Sequence, residues 1–192
     1  PPPTLHASCV IFAMVCAANM NRSMEAHKVV ANAGLDVRSF GAGSRVQLPG
    51  ADRDNPNVFD FGATTYQQIY DKLMAEDAKL YARNGLKDML ERNMKIKPAP
   101  QRWQDHPVEC DVAVCFEERV FDNVVQDVRS RGAGSGECLL VVNLAVAGSH
   151  ANALAAAPPA PNLCQMSEHS DARACALDGV REQAQAEEGR RP

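Results

Sequence analysis

The sequence predicts an α/β fold built on a parallel sheet, and three observations predict it. An apolar run over 9–15 ends on a short polar loop that feeds a helical pattern from Met24, and a second apolar segment follows at 35–40. Strand, helix and strand in that length make one βαβ unit, which implies parallel pairing and a right-handed crossover. Two later apolar segments, 111–115 and 138–143, flank a further helical period. With 192 residues and 45% hydrophobic content, the chain can bury one sizeable core, so one domain is expected.

Residues 1–8 read as a flexible leader, since three prolines cannot join a sheet ladder. The strand over 9–15 delivers Cys16 into the loop Ala17-Ala18-Asn19-Met20-Asn21, closed by Arg22-Ser23. In the helix that follows, Ala26, Val29, Val30 and Ala33 recur at helical spacing, and Gly34 is placed to end it as a left-handed cap. After the second strand, 41–57 reads as a long Gly/Pro-containing loop around Gln47-Leu48-Pro49-Gly50. A helix over 64–83 is expected to set Tyr66, Ile69, Tyr70, Leu73 and Leu80 on one face, with a shorter helix over 85–93. The prolines of 95–100 exclude helix there, and Lys95 and Lys97 read as a solvated basic pair. The next strand is 111–115. A helix over 117–131 then opens with Glu117 and Glu118, carries Val120, Val124 and Val128 in register, and closes with Arg129 and Arg131, matching its dipole. A turn at 132–136 leads to the last strand, 138–143. The rest, 144–192, reads as a divergent low-complexity tail rich in Ala, Gly and Pro, with a weak charged helix at 171–188.

The chemistry concentrates at Cys16. A strand ending on a tight loop at a helix N-terminus points successive backbone N–H groups into one concavity, where the helix dipole adds positive potential. That cavity suits a phosphate dianion, with Ala17 to Arg22 as its backbone donors. The five residues between Cys16 and Arg22 let the chain wrap once around a tetrahedral anion. Arg22 can then grip two equatorial oxygens as a fork while Cys16 sits in line behind phosphorus. The same donors stabilise a thiolate, which makes Cys16 a nucleophile, and Ser23 can donate to that sulfur and make it a better leaving group.

Composition narrows the alternatives. A formal charge of −4 argues against a direct nucleic-acid surface, which needs a basic face. The longest apolar stretch, 9–18, is too short to span a bilayer, so no membrane role is expected. Seven cysteines without paired spacing read as reduced thiols, with neither a disulfide framework nor a metal site. Whether Cys9, Cys110 or Cys115 could resolve an oxidised Cys16, as a thiol-cascade reductase requires, is not legible in the sequence.

The order of several blocks resembles one family. Cys16 with Asn19-Met20-Asn21-Arg22-Ser23-Met24-Glu25-Ala26-His27, then Arg38-Ser39-Phe40-Gly41, Leu48-Pro49-Gly50, Pro56-Asn57-Val58-Phe59-Asp60-Phe61, Met89-Leu90-Glu91-Arg92-Asn93, Lys95-Ile96-Lys97-Pro98 and Glu117-Glu118-Arg119-Val120-Phe121-Asp122 are similar to the RNA polymerase II C-terminal-domain phosphatases. The resemblance implies a three-layer, mainly parallel four- to five-stranded sheet of the low-molecular-weight protein tyrosine phosphatase-like fold, with a family-specific insertion between strands 2 and 3 and a phosphatase domain over 9–143. It implies a cysteine-dependent, cofactor-free serine phosphatase of the nucleus. Its substrate is the phosphorylated heptad tail of the polymerase, at the fifth serine before proline, and a symplekin-like scaffold of 3′-end processing is its partner. By the same resemblance Cys16 is the nucleophile, Arg22 the transition-state clamp and Gln47 to Gly50 part of the peptide groove, although the family usually carries lysine where Gln47 stands. The family's two aspartates after the last strand, one of them its general acid, fall at Ala145 and Gly148 here, and His150 is the remaining titratable candidate.

Overall fold

The computed structural model describes residues 10–52, 54–107, 109–131 and 139–145. Among them, β1 (Ile11–Cys16), α1 (Arg22–Asn32) and β2 (Asp36–Gly41) form the expected βαβ unit, and Gly34 has a positive φ of 83° just past the helix end. Next come β3 (Val46–Leu48), β4 (Asn57–Phe59), α2 (Tyr66–Arg83) and α3 (Leu86–Met94), followed by β5 (Val112–Cys115), α4 (Glu118–Ser130) and β6 (Leu140–Asn143). The main sheet has the order β2-β1-β5-β6, with every pair parallel.

Alternation along β1 divides the core into two layers. Phe12, Met14 and Cys16 face Ala26 and Val30 of α1, whereas Ala13 and Val15 face Val120 and Val124 of α4. One helix therefore covers each face, giving three layers. Side chains of this size contribute roughly 1.5–3 kcal/mol each when fully buried. The register sets Cys16 opposite Gly41 and Val15 opposite Cys115, so the carboxyl ends of β1, β2 and β5 meet at one edge. In open parallel sheets that edge is where ligands bind.

Between the second and third strands of this sheet lies the insertion, which has its own core. Val46, Leu48, Phe59, Tyr66, Ile69, Leu73, Tyr81, Leu86, Met89 and Leu90 pack around Met20 and Met24. One expectation is corrected here. The stretch 41–57 is not a plain loop: β3 and β4 pair antiparallel, burying Val46, Leu48, Asn57 and Phe59. Each strand has only three residues, too few for an alternating pattern to stand out from the surrounding Gly and Pro. Leu80 packs against this core partly buried, as Tyr70 does, while Tyr81 enters it fully. The cause is Asp77, whose φ of −159° and ψ of 88° break α2 while its carboxylate accepts from Leu80 N (2.9 Å), capping the second half in a new rotational phase.

The predicted leader at 1–8, the turn at 132–136 and the tail from residue 146 onward lie outside the described residues, as does Cys9. None of the described helices is long and apolar enough to cross a membrane.

Candidate active site

Cys16 ends β1 and the chain turns at once through residues 17–21 into α1. Asn19 takes the turn in the left-handed region, at φ 53°, with its side chain fully buried. Asparagine tolerates that region because its short polar side chain bonds locally, and here it does so in both directions. Gln101 N donates to Asn19 Oδ1 (3.0 Å), which fixes the amide and leaves Asn19 Nδ2 to donate to Ser23 Oγ (3.1 Å). Ser23 Oγ lies 3.0 Å from Cys16 Sγ. Because the Asn19 nitrogen can only donate, it takes an acceptor position on the hydroxyl, and the Ser23 proton turns toward sulfur. The network thus offers the sulfur a hydroxyl donor.

The loop carbonyls face away from its centre. Cys16 O accepts from Ala42 N (2.9 Å), Ala17 O from Gly43 N (2.9 Å) and Asn19 O from the Tyr66 hydroxyl (2.7 Å). Met20 O accepts from Arg92 Nη2 and Asn93 Nδ2, both at 2.8 Å, and Asn21 O accepts from Glu25 N (2.9 Å). No peptide bond among the described residues is cis. In a trans peptide N–H and C=O point in opposite directions, so the N–H groups of Ala17, Ala18, Met20, Asn21 and Arg22 are directed to the concave side. The end of β2 and the turn after it come this close because they carry glycine: a Cβ on Gly43 would meet Ala17 O at 2.8 Å, and one on Gly41 would meet the same oxygen at 2.9 Å.

Arg22 opens α1 and its side chain is mostly buried. Its Nη1 donates to Phe116 O (3.0 Å), and its Nη2 pairs with the Glu117 carboxylate. Both partners lie at the β5–α4 junction, so the guanidinium spans from the loop to the neighbouring strand. Lys97 departs from its expected solvated state. Its Nζ donates to Ser39 O and to Gln101 Oε1 (2.8 Å), and burial lowers its pKa to about 7, opposed by the nearby Cys16 sulfur. Lys95 is exposed. On α1, His27 Nδ1 meets Ser39 Oγ (3.0 Å), and burial, helped by Lys97, lowers its pKa to about 4. Burial next to the Cys16 charge pushes the Tyr66 phenol up.

The structure brings the predicted loop residues together and gathers others that sequence reasoning passed over. Tyr66, Arg92, Asn93, Gln101 and Glu117 all bond to the loop or to its arginine. One signal was available: Asn93 falls on the same helical stripe as Leu86, Met89 and Leu90, and a polar residue on an apolar stripe marks a buried partner. Of the predicted peptide groove, Leu48 packs in the same core as Met20, while Gln47 and Pro49 are exposed. Pro49 and Gly50 line a cavity of about 420 Å³ with Ala51, Asp52 and Pro56. Ala145 lies exposed just beyond β6, and Gly148 and His150 lie outside the described residues.

The other described thiols face away from Cys16. Cys115 lies on the α4 face of the sheet and Cys110 packs against the same cluster, whereas Cys16 lies on the α1 face. Burial pushes both of those thiols up to about 12. Neither is placed to resolve an oxidised Cys16.

Comparison with known proteins agrees with this geometry. The family model described as "Ssu72-like protein" matches residues 10–191. The RNA polymerase II C-terminal domain phosphatase SSU72 of Danio rerio is 43% identical over 159 residues, covering 83% of this chain and 81% of that protein. Its Homo sapiens counterpart is 41% identical over 178 residues, covering 93% and 91%. Among solved structures, a Drosophila melanogaster Ssu72–symplekin complex bound to a cis peptidomimetic CTD phosphopeptide superposes with a TM-score of 0.82 at 37% identity, covering 95% of each chain. The D. melanogaster serine phosphatase of the RNA polymerase II CTD reaches 0.85 at 38% identity over the same share. The chain belongs to the Ssu72 family and shares the overall fold of that family's solved structures.

Proposed function

We propose that this chain is a cysteine-dependent protein serine phosphatase of the nucleus. Its substrate is the heptad-repeat tail of the RNA polymerase II largest subunit, phosphorylated at the fifth serine before proline. It acts in transcription and mRNA 3′-end processing beside a symplekin-like scaffold, with no cofactor. The relatives' names and the phosphopeptide and symplekin seated on the Drosophila protein support this reading. The observation that carries it is the polarised contact from Ser23 to Cys16 inside a loop whose carbonyls are tied outward.

In the first step Cys16 Sγ attacks phosphorus, an S–P bond forms and the P–O bond to serine breaks. In the second, water attacks phosphorus, the S–P bond breaks with its electron pair returning to sulfur, and inorganic phosphate leaves. The inward amides hold the non-bridging oxygens in both steps, and an incoming dianion competes with Glu117 for Arg22. Gln47 to Gly50 form one wall of the peptide path. The serine oxygen leaves as a poor alkoxide unless it is protonated. Ala145 carries no proton to give, and loss of a positioned acid costs about 10² to 10⁴ in rate.

That absence favours a second reading, a phosphopeptide-binding scaffold of the same family with little turnover. One assay separates them. Steady-state hydrolysis of an aryl phosphate, whose leaving group needs little protonation, is compared with hydrolysis of a phosphoserine heptad peptide. Aryl turnover with slow peptide turnover supports a live loop lacking its acid, whereas peptide binding without any turnover supports the scaffold. A phosphate adduct trapped on Cys16 and absent from Cys16→Ser supports the nucleophile; the same adduct on another cysteine refutes it.

A further inference from the structure

We propose that Arg92 is a positioning residue for the oxyanion cradle: from the inserted helix α3 it fixes, from behind, the Met20–Asn21 and Asn21–Arg22 peptides whose N–H groups face the phosphate. The inference rests on the phosphatase reading, but adds a residue outside the loop that the loop requires.

Arg92 is close to the end of α3 and its side chain is only 10% exposed. It binds in two directions at once. Its Nη1 donates to Glu25 Oε2 (2.6 Å) in the first turn of α1, and its Nη2 donates to Met20 O (2.8 Å) and more distantly to Asn21 O (3.4 Å). It also sets its neighbour. Arg92 Nε and Nη2 donate to Asn93 Oδ1 at 3.0 and 2.9 Å, so the amide of fully buried Asn93 has one orientation, with Nδ2 on Met20 O (2.8 Å). Met20 O thereby receives a donor at each lone pair. A carbonyl held on both sides cannot rotate its peptide plane, and the opposite end of that plane is the Asn21 N–H.

A buried ion pair is a weak stabiliser compared with apolar residues of the same volume, because both charges are desolvated. What the Glu25–Arg92 pair does supply is geometry. It ties the helix that starts at Arg22 to the carbonyls preceding it, so the two halves of the cradle keep one spacing. A single ammonium cannot serve Glu25 and Met20 together as a planar fork does.

The test uses Arg92→Lys in the full chain. It keeps a positive charge beside Glu25 but gives up the fork. Because the lysine chain could fail to pack, Glu25→Gln combined with Arg92→Met is made in parallel, leaving no unpaired buried charge. Binding of orthovanadate is read from the amide resonances of residues 17–22, and kcat and KM are measured on an aryl phosphate, with melting temperatures alongside. For a variant that melts within a few degrees of wild type, we expect vanadate affinity to fall about tenfold and kcat to fall about 10- to 100-fold. The scale is that of an oxyanion donor displaced but not deleted. KM should change less, and the Asn21 and Arg22 amides should shift less on vanadate binding than in wild type. Wild-type vanadate affinity, kcat and amide shifts in such a variant overturn the inference alone. If the wild-type protein itself binds no vanadate, the oxyanion-cradle reading falls first and takes the inference with it, so the two failures are told apart.

Discussion

Ser23→Ala isolates one hydrogen bond at the Cys16 sulfur. The Ser23 hydroxyl lies 3.0 Å from Cys16 Sγ and is turned there by Asn19 Nδ2, 3.1 Å away on its other side. A hydrogen bond to a charged partner is worth about 1.5–3 kcal/mol. At roughly 1.4 kcal/mol per tenfold in rate, its loss slows departure of the thiolate about 10- to 150-fold. In the proposed mechanism sulfur is the attacking group in the first step and the leaving group in the second. Losing the donor makes it no worse a nucleophile but a poorer leaving group, so the second step takes most of the loss. The substitution also strips the fully buried Asn19 amide of its acceptor, at a stability cost of about 1–3 kcal/mol. Rapid-quench kinetics on an aryl phosphate should show a burst close to one equivalent of phenol followed by a steady state slowed by the stated factor. Ser23→Thr should restore the steady state. Burst and steady-state rates equal to wild type, or a lost burst with an unchanged second step, would refute the assigned direction of that proton.

Two further outcomes follow from groups around the loop. His27 has a folded pKa of about 4 against 6.5 in the unfolded chain, so between those values the unfolded state binds more protons and stability falls as pH drops. The full shift corresponds to about 3 kcal/mol, and partial solvent contact reduces this to about 1–2 kcal/mol. Urea titrations at pH 7.5 and 4.5 should show that difference in wild type and a smaller one in His27→Gln, whereas parallel slopes would rule out His27 as the source. Glu117→Gln removes the carboxylate that competes for Arg22. Inhibition by orthovanadate should tighten about three- to tenfold while kcat falls, because the guanidinium loses its fixed orientation. Weaker vanadate inhibition would show that Glu117 helps to hold the anion.

The βαβ unit and the cysteine loop were legible because their determinants are local: an apolar run, five residues between Cys16 and Arg22, and a helical period that starts immediately. Features that depend on distant partners were not. The β3–β4 hairpin consists of two three-residue strands supported by each other and by the core they share with α2, α3, Met20 and Met24. Lys97 reads as a surface charge in sequence and is held inward by Ser39 O and Gln101, contacts that exist only once β2 and the segment after α3 pack together. Arg22 reads as a free clamp, and its ties to Phe116 and Glu117 span more than ninety positions of the chain. The family resemblance supplied the insertion and the groove as expectations; bonds between α3 and the loop needed coordinates.

The way the Cys16 loop is moored has a consequence for how this architecture can be simplified. Its tethers come from the β2–β3 turn, from Tyr66 and from the Arg92–Asn93 pair, all within the stretch separating the second and third strands of the main sheet. A minimal version that bridged those strands directly would keep every residue of the motif, yet leave the carbonyls of Cys16, Ala17, Asn19 and Met20 short of their donors and strip Ala42 and Trp103 from the α4 side of the sheet core. Trimming to the four strands would thus slacken the cysteine loop together with one face of the core. In this chain the inserted segment and the cysteine loop form one structural unit.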